Sequence, residues 1–283
     1  MKFAAFSGVF IAHSIQEAMH LTKRLGLDGI EIAAREPHIS PSSSMARVKE
    51  VKALSDSLAL PIPVLASYIG GFSDADDSQA ESYFEEFKQL LEIADVLGTR
   101  MIRVFPGGPN AFKAQDYHYA KAAYWMNLIA EEAKKHEVNV LMEIHNNSLV
   151  ETVDSSLRLL DMIERDNIGM IHDAGNMYIT DTDYGRESVL RLGRRLMHVH
   201  VKDELRVGEL GAPGTFEDTT RHGRELFLQS RLGEGGADHK PLFDALRETG
   251  YSDWVTLECH APFPAYERLE HDFAVVRRLI ATA

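Results

Sequence analysis

The chain of 283 residues holds a single cysteine, Cys259, so it can form no internal disulfide and no thiolate metal cluster. Cysteine usage gives no sign of an oxidising compartment, and the expected setting is the cytoplasm. No apolar run approaches the ~18 residues that a membrane span requires. The short run FAAFSGVFIA behind Lys2 has a weak basic flank and lacks a clear small-residue cleavage site. It is therefore expected to be a strand rather than a secretion signal. Basic charge is also short: 30 Lys and Arg against 43 Asp and Glu give a net charge of −13. Nucleic acid and anionic membranes reward basic patches, so neither is expected as a partner. There is no glycine-rich dinucleotide turn after the first strand-like segment, and we see neither an interdomain linker nor a low-complexity segment.

What the chain does have is alternation. Apolar runs of strand length occur at 3–7, 29–33, 63–67, 101–105, 139–145, 168–173, 196–201 and 254–259. Helical periods fill the intervals. In 80–97, Tyr83, Phe84, Phe87, Leu90, Leu91 and Ala94 fall on one face; in 118–135, Ala122, Met126, Ile129, Ala130 and Ala133 do so. Gly26 and Gly98 stand where helix C-caps are expected. Eight strand–helix repeats predict a (β/α)8 TIM barrel, one α/β domain over residues 1–283. The connection from Asp203 to Tyr251 is unusually long, rich in Gly, Pro and charge, and is expected to act as a lid between strands 7 and 8.

In a barrel, alternate strand residues face inward, and those at the C-terminal end line the active site. This parity places Glu143 inward with Leu141 and His145, and Asp173 inward with Ile171. It groups His198, His200 and Lys202 on one face, and Thr256, Glu258 and His260 on another. Each of the last four strands thus offers one metal-capable side chain: Glu143, Asp173, His200 and Glu258. Any one of them alone reads as a solvated or ion-paired polar residue. Four converging at one depth, three of them carboxylates, call for a compensating cation. The donors are mostly hard oxygens, so Mn²⁺ fits best, with Mg²⁺, Co²⁺ and Zn²⁺ as alternatives.

Further inward residues have two readings each. Lys202 can polarise a carbonyl or can pair with Asp203 or a ligand carboxylate. His145 can contact a substrate hydroxyl or sit satisfied in its loop. His198 reads as a supporting or core polar group ahead of a ligand, and Glu31 with Arg103 as an ion pair across the barrel ahead of a reach to the substrate. His13, His38 and Tyr68 follow early strands and can line the pocket.

The stretches LMEIHNN, HDAGNM, HVHVKDE and LGEGG…LFDALRETGY…VTLECH resemble the xylose-isomerase-like barrel superfamily of sugar isomerases and epimerases, which also contains dehydratases and other lyases. The resemblance spans the chain in architecture, with its specific motifs between residues 140 and 260. It implies metal ligation by Glu143, Asp173, His200 and Glu258, and proton transfer by Glu143 and Glu258. It implies substrate contacts from Arg206, six residues after His200, and from the position three after Asp173. That position is Asn176 here, where the ketose epimerases carry histidine, and Lys202-Asp203 replaces their glycine–glutamate. The expected function is a metal-dependent sugar or polyol isomerase or epimerase working through an enediolate, with a dehydratase or lyase of a keto-polyol or keto-glycoside as the alternative. An endonuclease-type phosphodiesterase and a non-catalytic sugar-binding protein rank below both. Homo-oligomers are common among such barrels, but nothing in the sequence locates an interface.

Overall fold

The computed structural model describes residues 1–281. Seven strands run in order along the chain: β1 (Lys2–Phe6), β2 (Gly29–Ala33), β3 (Val64–Gly70), β4 (Met101–Phe105), β5 (Asn139–Glu143), β6 (Ile168–Asp173) and β7 (Leu196–Val201). Three more, β8 (Asp203–Val207), β9 (Thr215–Thr220) and β10 (Gly223–Ser230), follow before β11 (Trp254–Leu257). Strands β1 to β7 and β11 close into a parallel barrel in which β11 pairs with both β7 and β1. The helices are α1 (Ile15–Leu25), α2 (Met45–Leu58), α3 (Asp77–Leu97), α4 (Asp116–Lys134), α5 (Val153–Leu160), α6 (Ala174–Ile179), α7 (Arg186–Leu192), α8 (Lys240–Glu248) and α9 (Ala265–Ala281). The expected (β/α)8 barrel is thus the observed fold.

Local chemistry explains the punctuation. Ser14 and Glu17 form a reciprocal capping box at the start of α1, and Asp76 accepts from the Gln79 amide at the start of α3 (2.9 Å). Gly26 and Gly98 end these helices at φ +78° and +74°, a region that glycine enters without steric cost. Every residue of β2 and β6 is buried, as expected for strands covered on both faces.

The long connection is where the sequence reading was incomplete. It forms a three-stranded antiparallel sheet in the order β8-β10-β9. Its ends are tied down. The Asp203 carboxylate accepts from the amides of Gly233 (2.9 Å), Gly235 (3.1 Å) and Ala237 (3.0 Å). Gly235 is needed there, because a Cβ would lie 2.2 Å from Asp203 Oδ1. At the other end Asp218 accepts from Asn146 and from Asn147 (2.6 Å), while Asn110 donates to the Thr219 carbonyl (3.2 Å). The sheet therefore runs from the end of β7 to the loops that follow β4 and β5.

Candidate metal centre

The β5, β6, β7 and β11 neighbours deliver their four side chains to one point. Glu143, Asp173, His200 and Glu258 are all buried, and one donor atom from each lies within 4.8 Å of the others. Register explains the depth: Asp173 pairs with His200, which pairs with Thr256, two residues before Glu258. His200 Nδ1 stands 3.1 Å from Glu258 Oε2, 3.4 Å from Glu143 Oε1 and 4.0 Å from Asp173 Oδ2. The ends of β5 and β11 come two residues earlier than the apolar runs suggested, so His145, Glu258 and His260 sit on the departing loops.

A second set of residues orients the histidine. His200 Nε2 donates to Glu31, 3.1 Å from either oxygen. Glu31 also accepts from His198 Nε2 (2.8 Å) and Thr256 Oγ1 (2.7 Å). With Nε2 committed to Glu31, Nδ1 is the nitrogen that points at the carboxylates, as in metal-binding histidines held by a carboxylate. The expected Glu31–Arg103 pair is not formed. Arg103 instead holds Glu143, NH1 to Oε2 at 2.7 Å with both groups buried, and donates through Nε to the Ser67 carbonyl (3.3 Å). Parity had put both residues inside but gave no distances around the barrel.

Lys202 faces the centre. Its Nζ is 3.1 Å from Asp173 Oδ2 and 3.5 Å from Glu258 Oε2. It does not pair with Asp203, whose carboxylate is taken by the 233–237 loop. A Cβ on Gly175 would stand 2.5 Å from Lys202 Cγ, so the glycine of HDAGNM gives the lysine its room. Asn176 donates from its side chain to Glu143 Oε1 and the Ile144 carbonyl, both at 3.2 Å, and from its amide to Asp173 Oδ1 (2.9 Å). It thus contacts two of the four candidate ligands. His145 lies at the mouth with Nδ1–H on the Asn146 carbonyl (2.7 Å), leaving Nε2 as the unprotonated nitrogen, and burial pushes its pKa down. Arg206 is not brought into the cluster. It is half-exposed on β8, paired with Glu225 (2.9 Å), its guanidinium over the rings of Tyr178 and Phe227. Tyr68 packs on Arg103, while His38 turns away to Ser7 and the His13 carbonyl. Phe6, which the sequence reading passed over, forms an apolar wall against His200, His260 and Arg103; strand-end position was its only signal.

The electrostatics test whether a cation fits. Glu31, Glu143, Asp173 and Glu258 share the centre with two permanent cations, Arg103 and Lys202. Two negative charges remain, the number a divalent ion cancels. The protein alone compensates with protons. Burial, reinforced by Glu143 and Glu258, pushes Asp173 up to about 7 despite Lys202. Burial disfavours the charged form of His200, but Glu31 and the hydrogen bonds to Glu143 and Glu258 outweigh it and hold the imidazole protonated well above its usual range. Burial opposes ionisation of Glu143 and Glu258 as well; Arg103 overcomes it at Glu143 and Lys202 at Glu258, and both carboxyls titrate below the ordinary range. Asp173 Oδ2 is buried without a hydrogen-bond partner, because the nearby Lys202 ammonium is misaligned for one. A buried carboxylate oxygen that accepts no hydrogen bond and meets only the charge of Lys202, beside three convergent donors, fits a bound cation.

Comparison with known proteins agrees with this arrangement at the level of the fold. The chain is 27% identical to an inosose dehydratase of Lactiplantibacillus plantarum, over 53% of this chain and 50% of that protein, so it spans about half of that relative's length. It is 22% identical to an inosose isomerase of Bacillus velezensis, over 88% of this chain and 84% of that one. Among solved structures, the probable 3-DHS dehydratase AsbF of Bacillus anthracis superposes with a TM-score of 0.80 at 20% identity, covering 98% and 99% of the two chains. The IOLI protein with a binding zinc atom superposes with a TM-score of 0.81 at 18% identity, covering 100% and 99%. The profile of one family matches residues 19–279, and the chain belongs to that family, the xylose isomerase-like TIM barrels.

Proposed function

We propose that this chain is a divalent-metal-dependent enzyme that removes the proton beside the carbonyl of a keto-polyol and eliminates water from it. Glu143, Asp173, His200 and Glu258 would hold the ion, with Mn²⁺ favoured by three carboxylates and one imidazole. When bound, the ion supplies a Lewis acid that stabilises negative charge developing on the carbonyl oxygen.

The observation that carries the choice of outcome is the Arg103–Glu143 pair. The sequence placed isomerisation or epimerisation first, with Glu143 and Glu258 exchanging protons. Epimerisation needs a proton-transfer group on each face of the substrate. Here Glu143 is fixed by Arg103 on one oxygen and by Asn176 on the other. Glu258 is likewise engaged, by Lys202 on Oε2 and His260 on Oε1, both at 3.5 Å. Both serve better as ligands than as bases. His145, neutral and with Nε2 unprotonated, is the group fitted to take the proton. Lys202 keeps a positive charge at the centre, because Asp173 and Glu258 outweigh its burial. It can steady the anionic intermediate and orient a substrate hydroxyl. One-base chemistry of this kind suits elimination over epimerisation.

The inosose dehydratase and the inosose isomerase both support a cyclic keto-polyol as substrate class. The isomerase aligns over most of its length, so isomerisation stands as the second outcome, sharing the same first step. The test is incubation of Mn²⁺-loaded protein with an inosose and with 3-dehydroshikimate in D₂O. Loss of water with deuterium entering beside the carbonyl supports the reading. Interconversion of ketones without loss of water moves the assignment to the isomerase outcome. Turnover with no proton exchange and no elimination contradicts both.

A further inference from the structure

The carboxyl of Glu204 has no part in the centre described above. The residue is 3% exposed, and its Oε2 is buried without a hydrogen-bond partner among the described residues. Leaving a buried acid group unpaired is costly, and such groups in native proteins call for a reason. The backbone around it is fully used and fixed. Glu204 pairs with Gln229 across β8 and β10, and its carbonyl accepts from the Gly236 amide (2.8 Å). The side chain is therefore held by a rigid sheet. Glu204 stands two residues beyond Lys202, whose Nζ reaches the centre, at the point where the chain leaves the barrel for β8. The charges that act on it are Lys202, Asp173, Asp203 and Glu258, three of which belong to the candidate centre. Tyr178, from α6 packed against β8, places its hydroxyl on the Arg206 amide (3.3 Å), two residues along.

We propose that Glu204 is the general acid of the elimination, a protonated carboxyl that contacts the substrate's departing hydroxyl. This inference rests on the elimination reading. Burial favours the protonated form, pushing the group up to about 8 against the pull of Lys202, which agrees with a donor at neutral pH. The step balances as follows. His145 Nε2 takes the proton from the carbon beside the carbonyl. That electron pair forms the carbon–carbon double bond as the β carbon–oxygen bond breaks. The Glu204 proton moves to the departing oxygen, which leaves as water. Imidazolium and carboxylate remain, and both return to their starting states by exchanging one proton through solvent. Asp203 and Glu204 thus divide adjacent tasks: one fastens the 233–237 loop, the other serves the leaving group.

The test uses full-length Glu204→Gln loaded with Mn²⁺, with an inosose and with the same ketone carrying fluorine in place of the β hydroxyl. Fluoride departs without a proton, so the two substrates separate acid catalysis from positioning. The expected result is a loss of roughly a hundredfold or more in kcat for water elimination, with KM little changed and fluoride elimination close to wild type. Deuterium uptake beside the carbonyl should persist in the variant, since the base is intact. Equal loss on both substrates overturns the acid role, and so does unimpaired water elimination by the variant. If the wild-type protein eliminates neither water nor fluoride, the elimination reading itself falls, and the role of Glu204 falls with it. Glu204→Asp, which keeps the acid on a shorter arm, should recover part of the water-elimination rate; no recovery combined with normal fluoride release would still locate the defect in proton delivery.

Discussion

Glu31 is the residue that best shows how the site is assembled. It is fully buried, binds no candidate ligand atom destined for the cation, and still decides which nitrogen of His200 faces the carboxylates. Burial alone would raise its carboxyl, but His200 and His198 outweigh that cost and keep it ionised. Replacing it with glutamine should weaken cation affinity by roughly 10–100-fold while leaving the four ligands in place. A competition titration against a chelator measures this; unchanged affinity would show that His200 needs no such support. The sequence revealed Glu31 as inward but not its partner. Parity along one strand assigns a face, whereas the pairing of Glu31 with β7 and of Arg103 with β5 depends on distances across the barrel interior. Glu143, Asp173, His200 and Glu258 were legible because neighbouring strands end at one depth, a property visible in one dimension. Arg206, marked by the resemblance as a substrate contact, lies outside the four-residue cluster, because the chain leaves the barrel at β8 and pairs it with Glu225.

Among the elements, the eight barrel strands and the capped helices were readable from their periods, and the β8–β10 sheet was not. TFEDTT and RELFLQS alternate weakly, sit among glycines and charges, and gain their order from contacts far along the chain. Asp203 is the anchor of this excursion, with three backbone amides on its carboxylate. Asp203→Ala leaves those amides without their charged acceptor, at a cost of about 1–3 kcal/mol. Hydrogen exchange should accelerate in residues 231–239 with little change in β2 to β5. Uniform acceleration across the barrel would mean that Asp203 supports the whole fold rather than one loop.

At the scale of the molecule, the centre couples cation binding to protons and to stability. Asp173 titrates above its unfolded value of 3.8, at about 7, and His200 well above 6.5. Both therefore favour the folded state at low pH, and their contributions fade as pH rises through their folded values. Glu31, Glu143 and Glu258 are shifted down, so their contributions are already complete above about pH 6 and are lost only on acidification. The metal-free protein should lose stability between pH 5 and 8 (on the order of those shifted values), and the rise in Tm on adding Mn²⁺ should grow over the same range. Binding near pH 7 should release about one to two protons, read by calorimetry in buffers of different ionisation enthalpy. A Tm gain independent of pH would contradict the charge count at the centre. The most direct check of the whole account is metal content and affinity of the purified protein beside His200→Ala and Glu258→Gln. The account predicts about one Mn²⁺-like ion per chain in the wild type and little or none in either variant, with both variants folded. Wild-type stoichiometry and affinity in both variants would show that the four convergent side chains do not hold the ion.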